Sequence, residues 1–117
     1  MNKYWLKEPE IHDFAAAADY LSLLFTEQEA VEMAARLKAA GTIVKKAKDI
    51  LRASRLPLLP KENIHVKANL QKVKKGKKLS PILLVRKNNE LTIADGYHRV
   101  CSIYYLSEDL QVPCRLV

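Results

Sequence analysis

Ser80-Pro81-Ile82-Leu83-Leu84-Val85-Arg86-Lys87-Asn88-Asn89-Glu90-Leu91-Thr92-Ile93-Ala94-Asp95-Gly96-Tyr97-His98-Arg99-Val100-Cys101-Ser102 is the stretch that decides the fold. Ile82 to Val85 is an unbroken β-branched and leucine run after a proline, Lys87-Asn88-Asn89 is a turn cluster, and Leu91 and Ile93 alternate with Thr92 and Ala94. The pattern is strand, turn, strand, because successive side chains of a strand point to opposite faces. After Gly96 the apolar period lengthens. Val100, Ile103 and Tyr104 fall at the spacings of three and four that share one face of a helix. Asp95-Gly96 is therefore a strand-to-helix turn.

Such a turn has a chemical use. The first N–H groups of a helix lack internal acceptors and, with the helix dipole, attract anions. Gly96 lets a phosphate approach the backbone closely. Arg99 adds a planar fork of donors and His98 a further donor, both within the first turn. A phosphate is the natural guest. The bland alternative is a capped helix with solvated charges, with Asp95 as N-cap, Arg99 in a surface ion pair and His98 packed.

These residues resemble the superfamily of the ParB N-terminal domain and sulfiredoxin, over roughly Leu56 to Val117. The shared elements come in order: a helix before Gly76, the Leu79 to Arg86 strand, the second strand, the Asp95 to Arg99 turn, a helix, and a closing strand Val112-Pro113-Cys114-Arg115-Leu116-Val117. Partition proteins carry Gly-Glu-Arg-Arg at this turn and bind CTP there, so Tyr97 and His98 depart from them. Sulfiredoxins carry Gly-Gly-Cys-His-Arg. Gly96, His98 and Arg99 match, but Tyr97 stands where the nucleophilic cysteine is, which excludes sulfinic acid reduction by that route. The archaeal ParB-like free-serine kinases carry Asp-Gly-His-His-Arg, which differs here only at Tyr97. The resemblance implies a nucleotide, ATP or CTP, held by Gly96, Tyr97, His98 and Arg99. It also implies that the helix before Gly76 borders the site, making Lys72 a candidate phosphate contact.

At 117 residues, one domain spanning 1–117 is expected, long enough to bury a core without staples. Its residues 1–55 read as a mainly helical N-terminal extension and 56–117 as the core resembling the superfamily. No run approaches the roughly eighteen apolar residues of a membrane span, and no signal-peptide pattern is present, so a cytoplasmic protein without a membrane partner is expected. Cys101 and Cys114 fit no metal or disulfide pattern and are expected to stay unpaired in the core.

The net charge of +7 is concentrated. Residues 1–41 sum to −3, residues 42–80 to +10 and residues 81–117 to 0. A field of this kind draws polyanions, either nucleic acid or the phosphates of a nucleotide, although a solvated basic face gives the same composition.

Met1 to Ile11, with Tyr4, Trp5 and Pro9, reads as an arm packed by its aromatics. Asp13 is the expected N-cap of a helix burying Phe14, Ala17, Leu21, Leu24 and Phe25. Thr26-Glu27-Gln28-Glu29 spells a capping box, opening a second helix with Val31, Ala34 and Leu37 inward and Gly41 as its stop. The two are expected as an antiparallel pair covering one side of a sheet. His12 and Asp19 read as surface or capping groups.

Two alternatives hold for the basic third. If Lys45 to Arg55 is one helix, Lys45, Lys48, Arg52 and Arg55 form a single cationic stripe suited to nucleic-acid phosphates. If Thr42-Ile43-Val44 is a strand, only Ala47 to Ser54 is helical and the stripe shrinks to Lys48, Arg52 and Arg55. Leu56 to Pro60, with two prolines, is extended or an edge strand. A helix from about His65 to Lys75 then buries Val66, Leu70 and Val73.

A bare carboxylate beside a phosphate is repulsive. Asp95 therefore either caps the helix or is bridged to the phosphates by Mg²⁺, in which case it is a metal ligand and the candidate catalytic residue. Only Glu62 stands where the serine kinases carry a separate acidic base. Tyr97 either stacks on a ring or fills space. Two function classes follow. One is a nucleotide-binding protein, as a Mg²⁺-dependent phosphotransferase or a switch. The other is a DNA- or RNA-binding module of partition or regulator type using residues 42–80. The fold class expected for either is α+β, a small mixed sheet flanked by helices with an added N-terminal helical pair.

Overall fold

The computed structural model describes residues 3–117. Its elements are α1 (Ile11–Leu21), α2 (Glu27–Ala39), β1 (Ile43–Lys46), α3 (Ala47–Ser54), α4 (Ile64–Lys74), β2 (Ile82–Lys87), β3 (Glu90–Asp95), α5 (Tyr97–Leu106) and β4 (Gln111–Leu116). The four strands make one mixed sheet in the order β1-β4-β2-β3. β2 and β3 are an antiparallel hairpin, β4 lies parallel to β2, and β1 closes the far edge antiparallel to β4. The fold is α+β, as expected.

The hairpin forms where the sequence locates it. Asn88 and Asn89 have φ of 55° and 63°, the left-handed pair of a two-residue turn whose twist matches that of the strands. Alternation along the strands then divides the core. Leu83, Val85 and Ala94 face α1 and α2, packing on Ala17, Leu21, Ala30, Met33 and Leu37. Ile82, Leu84 and Ile93 face the opposite way, onto Ile50, Val66, Val100 and Ile103 of α3, α4 and α5. The result is three layers, with the helical pair on one face and three helices on the other.

Several local expectations are corrected. The N-cap of α1 is Glu10, not Asp13, and Asp13 occupies the third helical position, where its carboxylate accepts the Glu10 N–H at 3.0 Å. Asp13 is only 3 % exposed. The capping box of α2 forms as read, with Thr26 Oγ1 accepting from Glu29 N–H and Glu29 Oε1 from Thr26 N–H, each at 3.1 Å. Its buried face is nonetheless Ala30, Met33 and Leu37, and Val31 is exposed. α1 ends at Leu21, and Leu24, expected on its buried face, lies exposed beyond it, as does its neighbour Leu23.

In the basic third the second alternative is the one that forms. Ile43–Lys46 pairs with β4, and the helix is confined to Ala47–Ser54. Arg55 ends it in a left-handed conformation, φ 60°. Lys45 is thus on a strand, and the four-residue cationic stripe does not exist. Leu56 to Pro60 belongs to no strand or helix. Asn63 caps α4 through its side chain, which starts the helix one residue before the expected His65.

Residues 3–55 are woven into the core. Trp5 is 4 % exposed and joins Ala47, Ile50 and Leu51 in the same cluster as Ile82 and Val100. The arm is fixed by its backbone as well, with Leu6 N–H donating to Leu79 O and Leu79 N–H to Tyr4 O, both at 2.7 Å. Met1 and Asn2, at the start of the expected arm, lie outside the described residues. Cys101 and Cys114 are buried and unpaired, and burial raises both thiols, Cys114 to about 11.

Candidate functional site

β3 ends at Asp95, Gly96 turns the chain at φ 108°, and α5 starts at Tyr97. Its first helical bond is Val100 N–H to Gly96 O at 3.0 Å. The N–H groups of Tyr97, His98 and Arg99 therefore precede the helical ladder. Gly96 is required here for two reasons. Its φ suits glycine, and a Cβ would stand 2.5 Å from Ile82 Cδ1 and 3.0 Å from Arg99 Nη2.

Arg99 folds back over this turn. Its Nη2 donates to Asp95 Oδ2 at 2.9 Å and to Pro81 O at 3.3 Å, while its Nε is buried with no hydrogen-bond partner. Asp95 is consequently not a helix cap. It orients Arg99 across one turn. Burial raises the Asp95 carboxyl above its ordinary value, against the lowering effect of Arg99.

The opposite wall is α4. His65, Asn69 and Lys72, at spacings of four and three, share one face of that helix and line a cleft of ≈ 280 Å³ together with Asp95, Gly96, His98 and Arg99. The His65 and His98 rings meet at 4.7 Å between centroids, tilted by 58°. His98 is held below its ordinary value, first by burial, then by His65 and by the Arg99 charge. The cleft collects cations and N–H donors around a single carboxylate.

Of the residues singled out from sequence, Asp95, Gly96, His98, Arg99 and Lys72 come together in this cleft. Tyr97 does not line it. Its hydroxyl donates to Pro57 O at 2.5 Å and its half-buried ring packs against the core. Glu62 is exposed in the loop before α4 and is not part of the cleft wall. Of the remaining basic residues, Lys45 is on β1, while Lys48, Arg52 and Arg55 line a separate hollow beside α3 together with Asp49 and Glu108. Lys48 pairs with Asp109 at 2.9 Å, and Arg52 approaches Asp49 at 3.7 Å. His65 and Asn69 escaped the sequence reading, although their helical spacing from Lys72 was the available signal.

Asp95 is the single carboxylate in the cleft, and Arg99 already engages it. Among the described residues no group of three or more His, Cys, Asp or Glu side chains is placed to hold a metal ion. A Mg²⁺ here would depend on ligand phosphates and water for most of its coordination, as that ion usually does. Among the described residues no helix is long and apolar enough to cross a membrane. No protein-family model, curated protein or solved structure matches the chain.

Proposed function

We propose that the cleft between α4 and the first turn of α5 is a phosphate site for a nucleotide, ATP or CTP, and that the resemblance to the ParB and sulfiredoxin superfamily reflects this use. One observation carries the reading. The helix start at Gly96 to Arg99 and the polar face of α4, His65, Asn69 and Lys72, line the same cleft. Backbone N–H groups and the dipole of α5 supply the fixed part of an anion site, and Lys72 and Arg99 the charge.

Arg99 has donors beyond the one held by Asp95, because a guanidinium carries five N–H bonds. Asp95 thus acts as a positioning residue that holds the fork ready for phosphate oxygens, with Mg²⁺ arriving on the nucleotide if it is used. A bound Mg²⁺ would neutralise phosphate charge and open phosphoryl transfer. The cleft offers no second carboxylate to serve as base for an acceptor, which favours binding or switching over transfer.

Calorimetry with ATP and CTP, each with and without Mg²⁺, tests the proposal. Arg99→Ala is expected to weaken binding roughly tenfold to a hundredfold, the loss of hydrogen bonds to a charged group. Millimolar nucleotide without heat, or unchanged binding by Arg99→Ala, would remove the proposal. Nucleic acid would then take first place, through the exposed lysines Lys67, Lys72, Lys74, Lys75, Lys77 and Lys78 on and after α4, with binding that falls steeply with salt.

A further inference from the structure

The sheet ends in β1, and all four of its residues are exposed. Ala47 N–H donates to Leu110 O at 3.1 Å, continuing the β1–β4 register in which Lys45 faces Val112 and Ile43 faces Cys114. Hydrogen-bonded and non-bonded pairs alternate in an antiparallel ladder. Lys45 and Ile43 therefore bond inward to β4, and the intervening residues turn their backbone groups away from it. Pro113, opposite Val44, fits this phase, since it has no N–H to donate. Val44 is left with its N–H and C=O on the open edge, and Lys46 with its N–H. Among the described residues, no backbone bond to another segment satisfies these groups.

The surroundings of this edge are cationic. Val44 lines a groove of ≈ 560 Å³ between β1, the end of α2 and the N-terminal arm, with Lys7, Lys38 and Arg115 on its walls and Glu8 as the one acid. Lys45 points to the other face of the sheet, and Lys46 follows it. Lys7, Lys38, Lys45 and Lys46 belong to none of the ion pairs formed among the described residues. Ile43 is 40 % and Val44 51 % exposed, an apolar step between these charges.

We infer that β1 is a docking edge for an extended acidic peptide segment of a partner protein, which adds to the sheet as a fifth strand. The open N–H and C=O groups are what a peptide backbone pairs with. The lysines on both sides of the strand select carboxylates on both faces of the incoming chain. A second copy of this chain is disfavoured at the same edge, since two β1 strands would oppose Lys45 and Lys46 with their own kind. Edge lysines are a common protection against self-pairing. The site is separate from the α5 cleft and does not rest on the nucleotide proposal.

The test uses the full chain and an eight-residue blocked peptide in which pairs of glutamates alternate with pairs of valines, so that an extended chain carries carboxylates on both faces, with the corresponding lysine–valine peptide and a single-stranded DNA oligonucleotide as controls. Amide hydrogen exchange is read residue by residue. The acidic peptide at millimolar concentration is expected to slow exchange at Val44 and Lys46, with salt weakening the effect, and the lysine peptide to leave both amides unchanged. Lys46→Pro removes one open donor at a residue whose φ of −74° already suits proline. That change is expected to weaken binding by roughly three- to tenfold beyond Lys46→Gln, which removes the charge alone. Unchanged melting of both variants checks that the fold is kept, and Val44→Pro repeats the test at the neighbouring open donor if Lys46→Pro melts early. Equal binding of both peptides, no protection on β1, or protection by DNA alone would overturn the inference.

Discussion

Ser80 donates its hydroxyl to the carboxylate of Asp13, a residue 67 positions earlier, and the pair ties the first turn of α1 to the entrance of β2. Both residues are buried, and Glu10 N–H completes the cluster by donating to Asp13 Oδ2 at 3.0 Å and to Ser80 Oγ at 3.1 Å. Asp13→Ala would leave the buried Ser80 hydroxyl without its acceptor and the Glu10 N–H with Ser80 Oγ alone, at a cost of about 1–3 kcal/mol. Ser80→Ala should cost less. Because the two share one network, the double variant should lose less than the sum of the singles by about 0.5 kcal/mol or more. Urea denaturation of the three proteins measures this, and strict additivity would show that the bond contributes nothing specific.

Gly96 and Gly76 both have positive φ, 108° and 79°, but only Gly96 has a neighbour in the space of a Cβ. Gly76→Ala should cost about 1 kcal/mol from backbone strain alone. Gly96→Ala should lose about 1–3 kcal/mol more, because its methyl group meets Ile82 Cδ1 and the Arg99 guanidinium. Equal melting temperatures for the two variants would contradict the packing at the turn.

Glu29 links α2 to the hairpin through Lys87 Nζ at 2.7 Å while it completes the capping box. The Lys87 hydrogen bond, with those from Thr26, lowers its carboxyl from 4.5 to about 2. A carboxylate lowered by folding contributes stability that is full above pH 4.5 and is lost as pH falls toward 2. An NMR titration should find Glu29 still ionised near pH 3, and Lys87→Gln should return it toward its ordinary value. If Glu29 titrates normally in the wild type, the exposed pair is not formed in solution.

Burial, and then the neighbouring His65 and Arg99, oppose a charge on His98 and hold it below its ordinary value in the free protein. An anion in the cleft would favour the protonated ring. Binding of sulfate, whose own charge is constant in this range, should therefore tighten as pH falls from 7 through the imidazole range toward 5. His98→Gln should flatten that profile while Arg99 keeps the residual affinity. A wild-type profile flat from pH 7 to 5 would separate His98 from the anion site.

What the sequence determined by itself rests on interactions a few residues apart. The apolar run at Ile82 to Val85, the Asn88-Asn89 turn and the alternation after it specify a hairpin, since turn geometry and pleat are local. The Thr26 and Glu29 box marks a helix start for the same reason. The turn at Asp95 to Arg99 also lies where the change of period locates it. Contacts at long range were decided by the tertiary structure. Ala30 and Val31 are adjacent and both apolar, and packing against α1 buries the smaller and leaves the larger exposed. Residues 43–46 became a strand because β4 offered an unpaired edge, which no periodicity within the segment records. Asp13 lies buried because Ser80 waits there, Tyr97 turns to Pro57, and α4 brings His65 and Asn69 opposite Arg99. Each depends on where a distant segment packs, a choice made by the whole core together.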